Sequence, residues 1–271
     1  MGVIKLVLGF VVICWLGIAA FVYFTQGSLL YQPHPADAMA ETQLMNTNPD
    51  LQVFLVTTPG GQTLSGWFLP RKRGRAFAPA LVCYGGNAED ATDVLKMAKE
   101  FPDVSIAAVN YRGYGRSTGV PSEAALKEDA LAVFDQATAM TGGNGFVMGR
   151  SLGSALAVHV AANREVLGVV LLSPFDSIRA VARDHYPFLP VSLLLKERWD
   201  CLTDAAKVRA KALVVTANQD GVIDGERSDA LYDAWAGPKQ RVRVPSAGHN
   251  DLINFPGCTQ AVRYYLNDPN R

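Results

Sequence analysis

The sequence predicts an α/β fold, with a mostly parallel sheet of about eight strands flanked by helices and an apolar helix at the N-terminus. Two strand-like runs, Leu51 to Thr58 and Thr63 to Leu69, are split by Pro59-Gly60-Gly61 and read as an antiparallel hairpin. Beyond them, short apolar runs alternate with helical stretches: Ala80 to Tyr84, Val104 to Val109, Gly145 to Met148, Val169 to Leu172, Ala212 to Thr216 and Val242 to Val244. Runs that are nearly all apolar are buried on both faces, as strands of a covered parallel sheet are. Finally, Leu6 to Phe24 carries no charge and no proline.

That first stretch, at about 1.5 Å per residue, is long enough to cross a hydrocarbon core of about 30 Å. Residues 1–25 are therefore expected to form a transmembrane anchor. A cleaved signal peptide is the competing reading, because Met1 to Lys5 is a short basic start and Gly17-Ile18-Ala19 resembles a cleavage site. The apolar run continues through Phe21-Val22-Tyr23-Phe24, longer than a usual signal core, which favours the anchor. Lys5 flanks one side and no Lys or Arg follows until Arg71, so the positive-inside rule places a single-pass chain with its main domain outside the cytoplasm.

Residues 26–50, with Pro33, Pro35 and Pro49, read as a connector, and 51–271 as one domain. Within it, Pro121-Ser122-Glu123 opens a helix in which Ala125, Leu126, Ala130, Val133 and Phe134 recur at helical spacing until Gly142-Gly143. Between Pro174 and Thr203 the periodicity blurs around Tyr186-Pro187-Phe188-Leu189-Pro190, and a short lid is expected at 174–203.

Composition narrows the function. Lys+Arg and Asp+Glu number 25 each, so no long-range field draws in nucleic acid, and the partners expected are the bilayer and a small or acyl substrate. Arg71, Lys72, Arg73 and Arg75 read as a solvated hairpin loop. The four cysteines make no C-x-x-C pair and no zinc spacing, so neither metal nor cofactor is called for. Cys14 lies in the apolar helix and Cys83 ends a strand, which leaves Cys201 and Cys258 as a pair that an oxidising compartment would permit.

Gly149-Arg150-Ser151-Leu152-Gly153 stands between a strand run and a helical stretch. Strand, G-x-S-x-G and helix make a turn so tight that the flanking positions must be small, which lifts the serine hydroxyl above the sheet. A hydroxyl is a weak nucleophile without a base. Of the four histidines, His34 lies in the connector, His159 within the helix after Ser151, and His185 in the lid, where it could touch substrate. His249 follows the last strand run and can reach the elbow from the carboxyl edge of the sheet. The acid that orients the imidazole should leave a neighbouring strand on that edge, and Asp220 does. Its competitors are Asp176, after the preceding strand, and Asp224, which reads as a helix cap. For the oxyanion hole, Leu152 supplies one N–H and the turn Tyr84-Gly85-Gly86-Asn87 the other, from Asn87 or Gly86. Arg112, in the glycine-rich turn Asn110 to Ser117, reads as a structural brace.

These motifs resemble those of the α/β-hydrolase-domain proteins with an N-terminal membrane anchor, a group that includes acyl-protein thioesterases. The resemblance spans Tyr84 to Ala88, Asn110 to Ser117, Gly149 to Gly153, Ser173-Pro174-Phe175, Asn218 to Ile223 and Gly248-His249-Asn250. It implies an α/β-hydrolase fold, and the same roles for Ser151, Asp220 and His249. The group usually has His-Gly where this chain has Gly85-Gly86, and often proline where it has Asp224. The function expected is a serine hydrolase cleaving a carboxylic ester or thioester through an acyl-enzyme. A serine peptidase with the same triad and an inactive membrane-tethered scaffold are the alternatives.

Overall fold

In the computed structural model, which describes residues 2–268, ten helices and ten strands follow one another. The strands are β1 (Gln52–Thr57), β2 (Thr63–Leu69), β3 (Lys72–Arg73), β4 (Ala76–Phe77), β5 (Ala80–Tyr84), β6 (Ser105–Val109), β7 (Gly145–Arg150), β8 (Gly168–Leu172), β9 (Ala212–Ala217) and β10 (Lys239–Val244). The helices are α1 (Gly2–Leu30), α2 (Ala38–Thr47), α3 (Ala91–Leu95), α4 (Glu123–Ala139), α5 (Leu152–Asn163), α6 (Ile178–His185), α7 (Val191–Leu194), α8 (Leu202–Ala205), α9 (Gly225–Ala234) and α10 (Pro256–Leu266). Eight strands form one sheet in the order β1-β2-β6-β5-β7-β8-β9-β10. Within that sheet only the β1–β2 and β2–β6 pairs are antiparallel. The short β3–β4 ribbon carries Lys72 and Arg73 into solvent, as their charge requires.

Side chains alternate across the sheet with the period of two that a pleated strand imposes. Ala80, Val82 and Tyr84 of β5 face the layer of α4, α5, α8 and α9, while Leu81 and Cys83 face α3 and α10. Both layers are apolar, which explains why the central strands read as unbroken hydrophobic runs. This arrangement also corrects the proposed cysteine pair. Cys201 packs in the first layer and Cys258 in the second, with the sheet between them, and both are free thiols.

The expected helix after Pro121 is α4. The Ser122 hydroxyl accepts from the Ala125 N–H at its start, and Gly142 and Gly143 end it with φ of +94° each. The connector differs from expectation, because α1 continues to Leu30 and residues 38–47 are helical. Asp37 caps α2 by accepting from the Met39 and Ala40 N–H groups, and Leu44 buries against the α3 side of the core. The Ala, Met, Glu, Gln and Leu of this stretch are good helix formers that the prolines around them obscured.

Helix α1 has 29 residues, about 43 Å at 1.5 Å per residue, and is apolar enough to cross a membrane. The segment at 174–203 holds α6, α7 and irregular chain, and it packs on α1.

Candidate active site

Strand β7 ends at Arg150, and Ser151 turns the chain into α5 with φ +50° and ψ −120°. A left-handed backbone at a residue with a side chain is strained, and this strain is what exposes a nucleophile at the top of a strand. The glycines have a measurable reason. A Cβ on Gly149 would lie 2.2 Å from the Gly153 carbonyl oxygen, and one on Gly153 would lie 2.1 Å from that of Tyr84. The Ser151 N–H donates to the Leu172 carbonyl at 2.9 Å, fastening the turn to β8.

His249 arrives in the loop after β10. Its Nε2 lies 3.0 Å from Ser151 Oγ, and its Nδ1 lies 2.8 Å from Asp220 Oδ2 and 3.0 Å from Oδ1. All three side chains are nearly closed off from solvent. Asp220 also accepts from the Val222 and Ile223 N–H groups at 2.9 and 2.8 Å. Burial alone would raise its pKa, but the hydrogen bonds from His249 and from these two amides outweigh it and hold the carboxyl below its usual range. The acid beside an imidazole therefore stays charged, and a carboxylate at Nδ1 selects the tautomer with the proton there and a free lone pair at Nε2.

The competing carboxylates are engaged elsewhere. Asp176 accepts from its neighbour Ser177 N–H and pairs with Arg227 at 3.1 Å. Asp224 caps α9 by accepting from the Glu226 N–H. The other histidines lie outside this group: His159 pairs with Asp204, His185 bonds the Val222 carbonyl, and His34 bonds that of Ala88. Arg112 grips Asp129 through two 2.7 Å bonds, a brace between the loop after β6 and α4. Among the described residues, no three His, Cys, Asp or Glu side chains gather as metal ligands would.

For the oxyanion donors the structure separates the expectations. Leu152 is the first residue of α5, so its N–H has no acceptor within the helix and stands at the positive end of the helix dipole. Gly86 is engaged otherwise, its N–H donating to the Glu89 carboxylate. The Asn87 side chain donates to the Leu30 carbonyl and the Asn87 main-chain carbonyl accepts from Gln32 N–H and Tyr114 O–H, which leaves its main-chain N–H as the group suited to the role.

Two contributors escaped the sequence. Arg150, the variable position of the G-x-S-x-G motif, pairs with Glu89 and donates to the His249 carbonyl at 2.9 Å. One guanidinium thus joins the elbow, the turn after β5 and the histidine loop. A charged residue ending an otherwise apolar strand was its only signal. The second is the end of α1 and the chain just after it, where Leu30, Gln32 and His34 are all bonded to the Asn87-Ala88 turn. No local pattern announces such contacts.

Discounting the β3–β4 ribbon, the strand order is first, second, fourth, third, then fifth to eighth, with a strained serine between the fifth strand and its helix. Fold and site together define an α/β-hydrolase, and the chain belongs to that family. No protein-family model matches it. An uncharacterized protein of Mycobacterium tuberculosis is 32% identical over 259 residues, a match covering 93% of this chain and 91% of that protein. Among solved structures, an α/β hydrolase from Vibrio vulnificus superposes with a TM-score of 0.69 at 17% identity, covering 89% of this chain and 90% of the other. An esterase of Pyrococcus furiosus does so with a TM-score of 0.68 at 15% identity, covering 88% and 96%. At such identities the two structures speak to the fold alone.

Proposed function

We propose that the protein is a membrane-anchored serine hydrolase that cleaves a carboxylic ester or thioester through an acyl-enzyme, with its catalytic domain on the extracytoplasmic side. The observation that carries this reading is the unbroken chain from Ser151 Oγ through His249, at 3.0 Å from Nε2, to Asp220 at Nδ1. Ser151 Oγ attacks the acyl carbon while His249 Nε2 takes its proton, and Asp220 stabilises the imidazolium. The carbonyl electrons move onto oxygen, where the Leu152 and Asn87 N–H groups receive the charge. As the tetrahedral species collapses, the C–O or C–S bond breaks and the imidazolium protonates the departing alcohol or thiol. Water, deprotonated by the same nitrogen, then releases the acid and restores Ser151.

The full chain in detergent micelles should react with a fluorophosphonate and hydrolyse a short p-nitrophenyl ester, and Ser151→Ala should abolish both. Labelling that survives this substitution would sink Ser151 as nucleophile. A folded wild type inert to both reagents would favour the scaffold, and turnover of peptide but not ester substrates would favour the peptidase. For orientation, a C-terminal phosphatase reporter should be active in cells, whereas a working cytoplasm-dependent reporter there would reverse the topology.

A further inference from the structure

The lid does not stand free above the sheet; it runs alongside α1. Next to Gln26, the Leu194 carbonyl accepts from the Gln26 side chain, which in turn accepts from the Lys196 N–H, and the Lys196 ammonium sits 4.2 Å from the Tyr23 ring. A tyrosine, a glutamine and a lysine at one level mark a membrane boundary, where amphipathic side chains settle. From there the chain at Leu189 and Val191 packs on Ala19, and the Phe188 carbonyl accepts from the Trp15 indole N–H at 2.9 Å. Gln26 to Trp15 is eleven residues, about 16 Å along the helix, which is close to half of a 30 Å hydrocarbon core.

The side chains of that stretch suit hydrocarbon apart from Ser192, which lies at the cleft beside Arg183 and Asp184. The lid tip exposes Tyr186, Phe188 and Leu193, the last at 83%. Pro187 and Pro190 have no N–H to satisfy, and the Leu189, Val191, Leu193 and Leu195 N–H groups bond carbonyls within the loop. The Trp15 contact supplies a donor to a carbonyl that lipid cannot bond. In water, such a tip would be a costly apolar patch beside a helix that already needs a bilayer around it. On the side of the lid away from α1, Arg183 and Asp184 of α6 and Arg227 line a polar cleft together with Pro187, Pro190, Ser192 and Leu193, and there Asp184 pairs with Arg227, so the charges at this edge of the lid are partly neutralised.

Between α1 and the lid lies an apolar cavity of about 330 Å³, lined by Val22, Leu29, Val181, Ala182, Leu194 and Leu195 among others. That volume is at the lower end of the range of small-molecule sites, about 300–1,000 Å³. Its two walls are tied to the site, since Leu30 of α1 holds Asn87 and His185 of α6 holds the carbonyl of Val222 in the acid loop.

We propose that the lid segment Tyr186–Leu195 is seated in the leaflet nearest the domain, and that the cavity between it and α1 takes one acyl chain of a bilayer lipid. The occupant follows from the position: at this level the only abundant apolar molecule is the lipid itself. The inference rests on α1 crossing the membrane, but not on Ser151 being a nucleophile.

The test uses the full chain carrying Ser151→Ala and Cys14→Ser in phosphatidylcholine vesicles, with a bimane probe on Leu193→Cys or, for comparison, on Tyr264→Cys. Tyr264 is 78% exposed on α10, on the far side of the sheet. The Leu193 probe should be quenched by lipids brominated on the acyl chain and shielded from aqueous iodide, and the Tyr264 probe should behave in the opposite way. Flotation of the protein with the vesicles checks the span separately. If it floats and the Leu193 probe is open to iodide, the lid is not in the leaflet; if it does not float, the span reading fails and the inference with it. For the cavity, a phosphatidylcholine with a diazirine at the end of one chain should label peptides from α1 and from 178–195, and Ala182→Trp, which fills the cavity, should remove the label from a chain that still melts cooperatively. Equal labelling of both proteins, or none in the parent chain, would overturn the lipid site. The quenching result does not depend on Ala182→Trp folding.

Discussion

Gly153→Ala tests the geometry of the elbow more sharply than removal of any catalytic side chain. The added Cβ would stand 2.1 Å from the Tyr84 carbonyl oxygen and 2.5 Å from that of Gly85. Reaching even a tight 3.0 Å contact requires α5 and β5 to part by about 0.9 Å, the difference between 3.0 and 2.1. Both partners are backbone, so no side-chain rotation relieves the clash. Gly153 does not have a positive φ, so the cost is steric and not conformational. The displaced end of α5 carries Leu152, whose N–H, as the proposed oxyanion donor, would have to lie about 2.7–3.1 Å from the developing charge; moved by 0.9 Å it would no longer make a good hydrogen bond. Loss of one such donor costs about 10²–10³-fold in kcat. Overpacking should lower stability by about 1–3 kcal/mol besides. The assay is kcat on a p-nitrophenyl ester together with a melting curve, both on the full chain in detergent. Gly142→Ala is the control: that residue has φ +94° and open space within 4 Å of where the methyl would stand, so it should lose about 1–2 kcal/mol of stability without losing rate. A folded Gly153→Ala with wild-type kcat would refute the reasoning, as would a Gly142→Ala that loses as much rate.

Three further expectations follow from the site. Asp220→Asn should cost on the order of 10⁴-fold in kcat, while Asp176→Asn and Asp224→Asn, whose carboxylates serve Arg227 and the α9 cap, should cost far less. A crippled Asp176→Asn beside an active Asp220→Asn would move the acid to β8. Arg150→Met leaves Glu89 and the His249 carbonyl without their shared partner, so stability should fall by about 1–3 kcal/mol, less than for a fully buried pair, and kcat should fall more than KM rises. Equal kcat with raised KM would show that Arg150 touches substrate binding and not the alignment of the loops. The Asp220 carboxyl is held below its ordinary 3.8 in the folded chain, so its ionised form adds stability above that pH and the gain disappears as pH falls through the lowered folded value. The melting-temperature gap between wild type and Asp220→Asn should accordingly be widest near neutrality and close below about pH 4; a gap that widens in acid would contradict the sign.

Much of the site was legible because its geometry is local. The glycines around Ser151 are required by contacts of about 2 Å between adjacent backbones, so their spacing travels with the motif. His249 and Asp220 stand just beyond strands β10 and β9, and parallel neighbours deliver such residues to the same edge of the sheet. The brace at Arg112 and the cap at Asp224 were readable for the same reason. The connector helix was hidden by flanking prolines, although Asp37 and the residues after it obey ordinary capping and propensity. That the Gly86 N–H is engaged by Glu89, three residues on, was not legible in the sequence, because that carboxylate is itself held by Arg150 from another strand.

The sequence by itself pointed to the alternation of strands and helices in the main domain, the tight turn at Ser151, the placing of His249 and Asp220 at one edge of the sheet, and a helix apolar enough for a membrane. Each depends on periodicity or on residues a few positions apart, which covalent geometry keeps together. Only the tertiary structure decided that Cys201 and Cys258 lie on opposite faces of the sheet, that one guanidinium joins three loops of the site, and that the lid follows the apolar helix. The last two of these join residues 61 to 173 positions apart in the chain, as Arg150 with Glu89 and Trp15 with Phe188 do. Contact between them is set by how the layers pack and by where buried charges and carbonyls find partners, and no run of neighbouring residues records that.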